Sequence, residues 1–73
     1  MTESEFLLLI SEILESDLSE FSLSSSLEDL GWDSLSTLTL ISEVDGRSSL
    51  EIETQMLGNS KTLADLFGSI RAS

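Results

Sequence analysis

The chain has 73 residues, fourteen acidic against three basic, for a formal net charge of −11. That length suits one domain spanning residues 1–73 at most, and an apolar share of 40% is enough for a small core. Residues 1–46 hold eleven acids and no base, while residues 47–73 hold three of each. Such a surface repels phosphate backbones and anionic lipid headgroups, so nucleic acid and membrane insertion are set aside and a protein with a basic patch is the expected partner. The sequence contains no Cys and no His. It therefore lacks a thiol nucleophile, a thiolate metal site, a disulfide framework and any side chain that titrates near neutrality as a general base. No catalytic residue and no metal ligand set is assigned, and an autonomous enzyme is not expected. No apolar run approaches the roughly 18 residues of a membrane span. The acidic start Met-Thr-Glu-Ser-Glu is unlike the positive opening of a signal peptide. The composition predicts a cytoplasmic monomer.

In chain order, Thr2 with Glu5 fits a capping box, in which each side chain caps the other residue's backbone N–H. Phe6, Leu9, Ile10 and Ile13 follow at i, i+3, i+4, i+7, which predicts a helix over 3–16. Residues 17–33 form a long Ser-rich connection in which Leu18, Phe21, Leu23, Leu27 and Leu30 recur. Ser hydroxyls favour turns and caps over helix interiors, and the recurring apolar residues predict a loop laid over the core. A connection this long in so small a chain is often functional. Asp33 can cap a second helix from Ser34 through Leu35, Leu38, Leu40, Ile41 and Val44, closed by Gly46 in the left-handed conformation. Alternation over Leu35–Ile41 also fits a strand; the cap, the stop signal and the length favour helix. Leu50 and Ile52 anchor the next segment, and Met56 with Leu57 fit one short helical turn before Gly58-Asn59. Thr62 with Asp65 repeats the capping-box pattern ahead of Leu63, Leu66, Phe67 and Ile70. A helix over 62–71 is expected there, with Arg71 at its C-terminal dipole. The resulting class is all-α, a small four-helix bundle of three main helices and one short one, with a long loop between the first two.

The segment Leu27-Glu28-Asp29-Leu30-Gly31-Trp32-Asp33-Ser34-Leu35 resembles the attachment motif of acyl carrier proteins, the phosphopantetheine-binding carriers, and specifically their discrete stand-alone type. Asp29-Leu30-Gly31, Asp33, Ser34 and Leu35 match the family pattern. The order of first helix, long loop, motif, second helix, short third and final helix agrees over the whole chain, although only the nine-residue motif is specific. The resemblance implies a covalent 4′-phosphopantetheine arm on Ser34, whose thiol would carry acyl intermediates as thioesters between biosynthetic enzymes. A phosphate at a first helical turn meets free backbone N–H groups and the positive dipole end, worth roughly 0.3–1 kcal/mol at an exposed site. The arm would also supply the thiol that the composition lacks. Asp33 would cap the helix and help position magnesium while a phosphopantetheinyl transferase is docked. Leu35 would serve partner recognition or the core, whereas Leu38 and Ile41 read as core. Gly31 would let the chain turn tightly before the serine.

Two features depart from the housekeeping pattern. Fatty-acid-synthesis carriers usually bear several acids along the second helix; here hydroxyls fill the expected outward positions and the first acid is Glu43. Partners would then read hydroxyls and apolar shape, or the acids Glu28, Asp29 and those of the first helix. Trp32 stands where a small residue is common, either packed against the loop or exposed as an aromatic anchor. Gly-Trp-Asp-Ser-Leu and Ala64-Asp65-Leu66 look like carriers of specialised pathways: polyketide, nonribosomal peptide or surface glycan. The partners implied are a phosphopantetheinyl transferase and acyl-loading and acyl-processing enzymes with basic or apolar docking surfaces. Two rivals remain: an aminoacyl or peptidyl carrier, and an unmodified acidic adaptor in which Asp33-Ser34 is only a cap.

Overall fold

A computed structural model describes residues 1–47 and 49–72. Helix α1 runs Glu3–Leu14 and α2 Ser34–Asp45; strand β1 (Leu50–Ile52) follows, then α3 (Thr54–Gly58), α4 (Leu63–Gly68) and β2 (Ile70–Ala72). A single 3-10 turn, Leu18–Glu20, interrupts the loop between α1 and α2. The fold is mostly helical, and the all-α expectation needs one correction. Strands β1 and β2 pair antiparallel, with Leu50 opposite Ala72 and Ile52 opposite Ile70.

Both capping boxes form. Thr2 Oγ1 accepts from Glu5 N at 3.1 Å while Glu5 accepts from Thr2 N at 3.0 Å, and Thr62 and Asp65 do the same for α4. These backbone donors hold the Glu5 and Asp65 carboxyls below their usual range: chiefly Thr2 N–H for Glu5, and Lys61 and Thr62 N–H for Asp65. Helix α1 ends earlier than its periodicity suggests. Glu15 takes the left-handed conformation (φ 54°) and its N–H returns to Ser11 O, closing the helix without a glycine. Gly46, expected to be left-handed, has φ −71° and simply completes the last turn of α2. The glycine that needs positive φ is Gly31, at 71°.

The last helix also stops short, at Gly68, so Ile70 and Arg71 lie in β2 rather than at a helix end. Ser69 makes the change of direction. It is fully buried, its Oγ donates to Leu66 O at 2.6 Å, and its carbonyl accepts Glu53 N at 2.7 Å. Arg71 reaches the Met56 sulfur at 3.3 Å instead of a helical carbonyl.

The core gathers Phe6, Leu9 and Ile10 of α1, Phe21 of the loop, Leu40 and Val44 of α2, Leu57 of α3, and Leu63 and Leu66 of α4. Phe67 stacks on Phe6 at 5.1 Å with the rings tilted by 46°. The long loop is laid over this core as expected, through Phe21, Leu23, Leu27 and Leu30; Leu18 is the exception, 47% exposed. Three backbone contacts stitch it to the start of α4. Leu27 N donates to Lys61 O, Leu63 N to Ser25 O and Ala64 N to Leu23 O, around a bridge between Ser26 and Thr62.

Candidate attachment site at the start of helix α2

The approach to α2 is built from short-range backbone turns. Leu30 N donates to Ser26 O and Gly31 N to Glu28 O, and Trp32 N returns to Leu27 O at 3.0 Å. Gly31 has open space where a Cβ would stand, so its positive φ and not crowding is what suits glycine there. Glu28 and Asp29 ride on the outside of this turn, both exposed.

Asp33 caps the helix. Its Oδ1 accepts from Ser36 N at 2.9 Å and from Ser36 Oγ at 3.0 Å, and its carbonyl accepts Thr37 N. Ser36 N–H, then its hydroxyl, hold the Asp33 carboxyl below the usual carboxylate range. Ser34 is the first helical residue and is exposed. The hydroxyls of Ser36 and Thr39 are bonded locally, to Asp33 and to Leu35 O. Among the described residues the Ser34 hydroxyl makes no hydrogen bond, so it projects unencumbered from the first turn.

The faces of α2 differ from the expectation of outward hydroxyls. Thr37, Leu40, Ile41 and Val44 point inward at i, i+3, i+4, i+7, with Leu40 and Val44 fully buried. The outward stripe is Leu35, Leu38, Ser42 and Asp45. Leu35 is 71% exposed and Leu38 63%, so neither belongs to the core. Ile41 is half-buried, in line with its core reading.

Trp32 is half-buried and packs against the core cluster. Its indole N–H donates to Thr37 Oγ1 at 2.9 Å, tying the residue before the cap to the first full turn of α2. Trp32 and Thr37 share a cavity of about 410 Å³ with Leu27, Ile41, Leu57 and Leu66. The structural part that Thr37 plays in anchoring Trp32 was not expected from the sequence. The inward spacing of Thr37 with Leu40 and Val44 is the signal that could have found it.

A family model described as a phosphopantetheine attachment site matches residues 4–70. The chain belongs to that family. Membership makes this a non-catalytic carrier with a covalent 4′-phosphopantetheine group rather than an enzyme, in keeping with the absence of Cys and His. Carriers of this family engage phosphopantetheinyl transferases and acyl-handling enzymes. No curated protein and no solved structure matches the chain significantly. No helix among the described residues is long and apolar enough to cross a membrane.

Proposed function

We propose that Ser34 bears the phosphopantetheine arm and that the chain shuttles acyl groups within a dedicated biosynthetic pathway, not housekeeping fatty acid synthesis. The observation that carries the site is the exposed, unbonded Ser34 hydroxyl at the first residue of a capped helix. The helix dipole favours a phosphodiester there, beside a cap in which Asp33 already accepts the Ser36 N–H. During loading Ser34 Oγ attacks a pyrophosphate phosphorus of coenzyme A and gives up its proton to the transferase. An Oγ–P bond forms and the P–O bond to 3′,5′-ADP breaks. Once attached, the arm supplies the terminal thiol that holds an acyl group as a thioester. Asp33 fixes the first turn through Ser36 and, exposed beside Ser34, is placed to help orient the transferase's magnesium.

The departure from the housekeeping pattern rests on α2, which has no acid between Ser34 and Glu43. Polyketide, nonribosomal-peptide and surface-glycan pathways fit that surface, as does aminoacyl in place of acyl cargo. The adaptor reading has the family match against it. Incubation with coenzyme A, magnesium and a broad-specificity phosphopantetheinyl transferase should add one phosphopantetheinyl group by intact mass, and Ser34→Ala should abolish it. No gain in the wild type would overturn the carrier reading, and a gain that persists in Ser34→Ala would move the site. Acyl and aminoacyl cargo are then separated by which ligase or adenylation enzyme charges the arm.

A further inference from the structure

We propose that Trp32 is a positioning residue for loading of the arm. Its indole, bonded to Thr37, sets the angle at which the chain enters α2 and so the direction in which Ser34 Oγ is offered to the transferase. This rests on Ser34 being the attachment residue. With Asp33 as the cap, Trp32 stands just outside the helix and Thr37 is the fourth helical residue. Side chains at those two places often meet as an apolar staple that fixes the entry of the chain. Here the staple is polar: Trp32 Nε1–H donates to Thr37 Oγ1 at 2.9 Å.

Trp32 ties the turn on both sides of the serine. Upstream, its backbone N–H donates to Leu27 O at 3.0 Å; downstream, the indole packs on the core and reaches into α2. The Ser34 hydroxyl has no hydrogen-bond partner among the described residues, so its direction follows the backbone around it. The other tie across the serine is the cap, in which Asp33 Oδ1 takes both Ser36 N–H and Ser36 Oγ–H; Asp33 is exposed, and water competes for that contact. Glu28, Asp29 and Asp33 present the charge around Ser34. The Trp32–Thr37 bond is half-buried and neutral, so its loss alters the geometry of the turn and leaves those charges in place. Attack by Ser34 Oγ on phosphorus needs the reacting atoms about 3–3.5 Å apart and aligned, and a misplacement of about 1 Å can cost a hundredfold in rate.

Single-turnover loading from coenzyme A and magnesium, with a broad-specificity phosphopantetheinyl transferase in excess and well below the unfolding midpoint, tests this. Thr37→Val removes the acceptor and keeps the shape; Thr37→Ser keeps the acceptor and removes a methyl group. In Thr37→Val the maximal rate should fall about threefold to tenfold, while the transferase concentration at half-maximal rate stays within about twofold of wild type, because the surface that docks is unchanged. Thr37→Ser should load near the wild-type rate. Trp32→Phe should slow loading as Thr37→Val does, and the double variant should be no slower than the slower single one, since both remove the same bond. A purely structural role would lower the melting temperature and leave these rates alone, because nearly every molecule is still folded under the assay conditions; circular dichroism checks that it is. Loading of Thr37→Val at the wild-type rate, or of Thr37→Ser as slowly as Thr37→Val, would overturn the proposal while modification of Ser34 stood. Absence of any modification of the wild type would instead remove the attachment reading and this proposal with it.

Discussion

The hydrogen bond from Trp32 Nε1 to Thr37 Oγ1 fixes the loop before Ser34 to α2, and Thr37→Val removes it with almost no change in shape. Valine keeps the β-branch and the volume but has no acceptor, so the half-buried indole N–H loses its 2.9 Å partner. A net hydrogen bond contributes about 0.5–1.5 kcal/mol. Trp32 is only half-buried, so water can recover part of the loss and about 1 kcal/mol is expected. For a chain of this size that corresponds to a fall in melting temperature of about 4–8 °C. Because valine also changes local packing, the bond is isolated by a double-mutant cycle with Trp32→Phe, which keeps an aromatic ring but has no N–H. Thermal unfolding is followed by far-ultraviolet circular dichroism, since Trp32 is the sole tryptophan and its fluorescence disappears in that variant. Thr37→Val should be markedly less costly in the Trp32→Phe background than in the wild type. Equal costs in both backgrounds would show that the bond contributes nothing and that packing alone holds the loop.

Three further outcomes follow from the fold. Gly31→Ala should destabilise by about 1–3 kcal/mol through its positive φ alone, because no atom crowds the new Cβ, while Gly46→Ala at φ −71° should be neutral or slightly stabilising in urea titrations. Leu40→Ala, fully buried, should cost about 2–5 kcal/mol, whereas Leu38→Ala should stay within about 0.5 kcal/mol; similar losses at both would contradict the assignment of inner and outer faces. Glu5, Asp33 and Asp65 have depressed carboxyl pKa values in the folded state. Their contribution is complete above the unfolded values of about 3.9–4.3 and is lost as pH falls through the lower folded values. Acid also relieves repulsion among the many carboxylates, so the loss is read by comparison. The Asp33→Asn, Asp65→Asn protein keeps neutral caps and should lose less stability than wild type between pH 5 and about 2. Identical acid limbs would show that the caps carry none of the pH dependence.

Local rules made much of this fold legible. Capping boxes at Thr2–Glu5 and Thr62–Asp65, the cap at Asp33 and the short turn at Met56-Leu57 all depend on residues a few positions apart, and each is legible in the sequence. The two-stranded sheet was not. Ile52 opposite Ile70 is a pairing between distant segments, and Ile70 also continues the helical spacing of Leu63, Leu66 and Phe67. Periodicity alone therefore extended α4 past Gly68. The left-handed ending at Glu15 escaped for a related reason: glycine is the usual signal, and a glutamate gives none. At the site, the motif residues were legible and the direction of α2 was not. That helix has more apolar residues than its inner face can hold, so assigning Leu38 to the core by type alone was unsafe. The inward run Thr37, Leu40, Ile41, Val44 decides which leucines are left outside.

The stitching of the long loop onto the start of α4 has a kinetic consequence. Leu23, Ser25 and Leu27 are held by Ala64, Leu63 and Lys61, contacts between segments 34 to 41 residues apart in the chain. Closing such separations carries a loop entropy that local helix formation does not. The stretch of loop upstream of the turn into Ser34 is thus held by residues made later in synthesis, while the turn itself is closed by local bonds. On a ribosome, α1 and α2 can emerge and coil before that stretch has its final partners. Until α4 has emerged and docked, Leu23, Ser25 and Leu27 have no partners there, so this part of the loop settles after both long helices have formed.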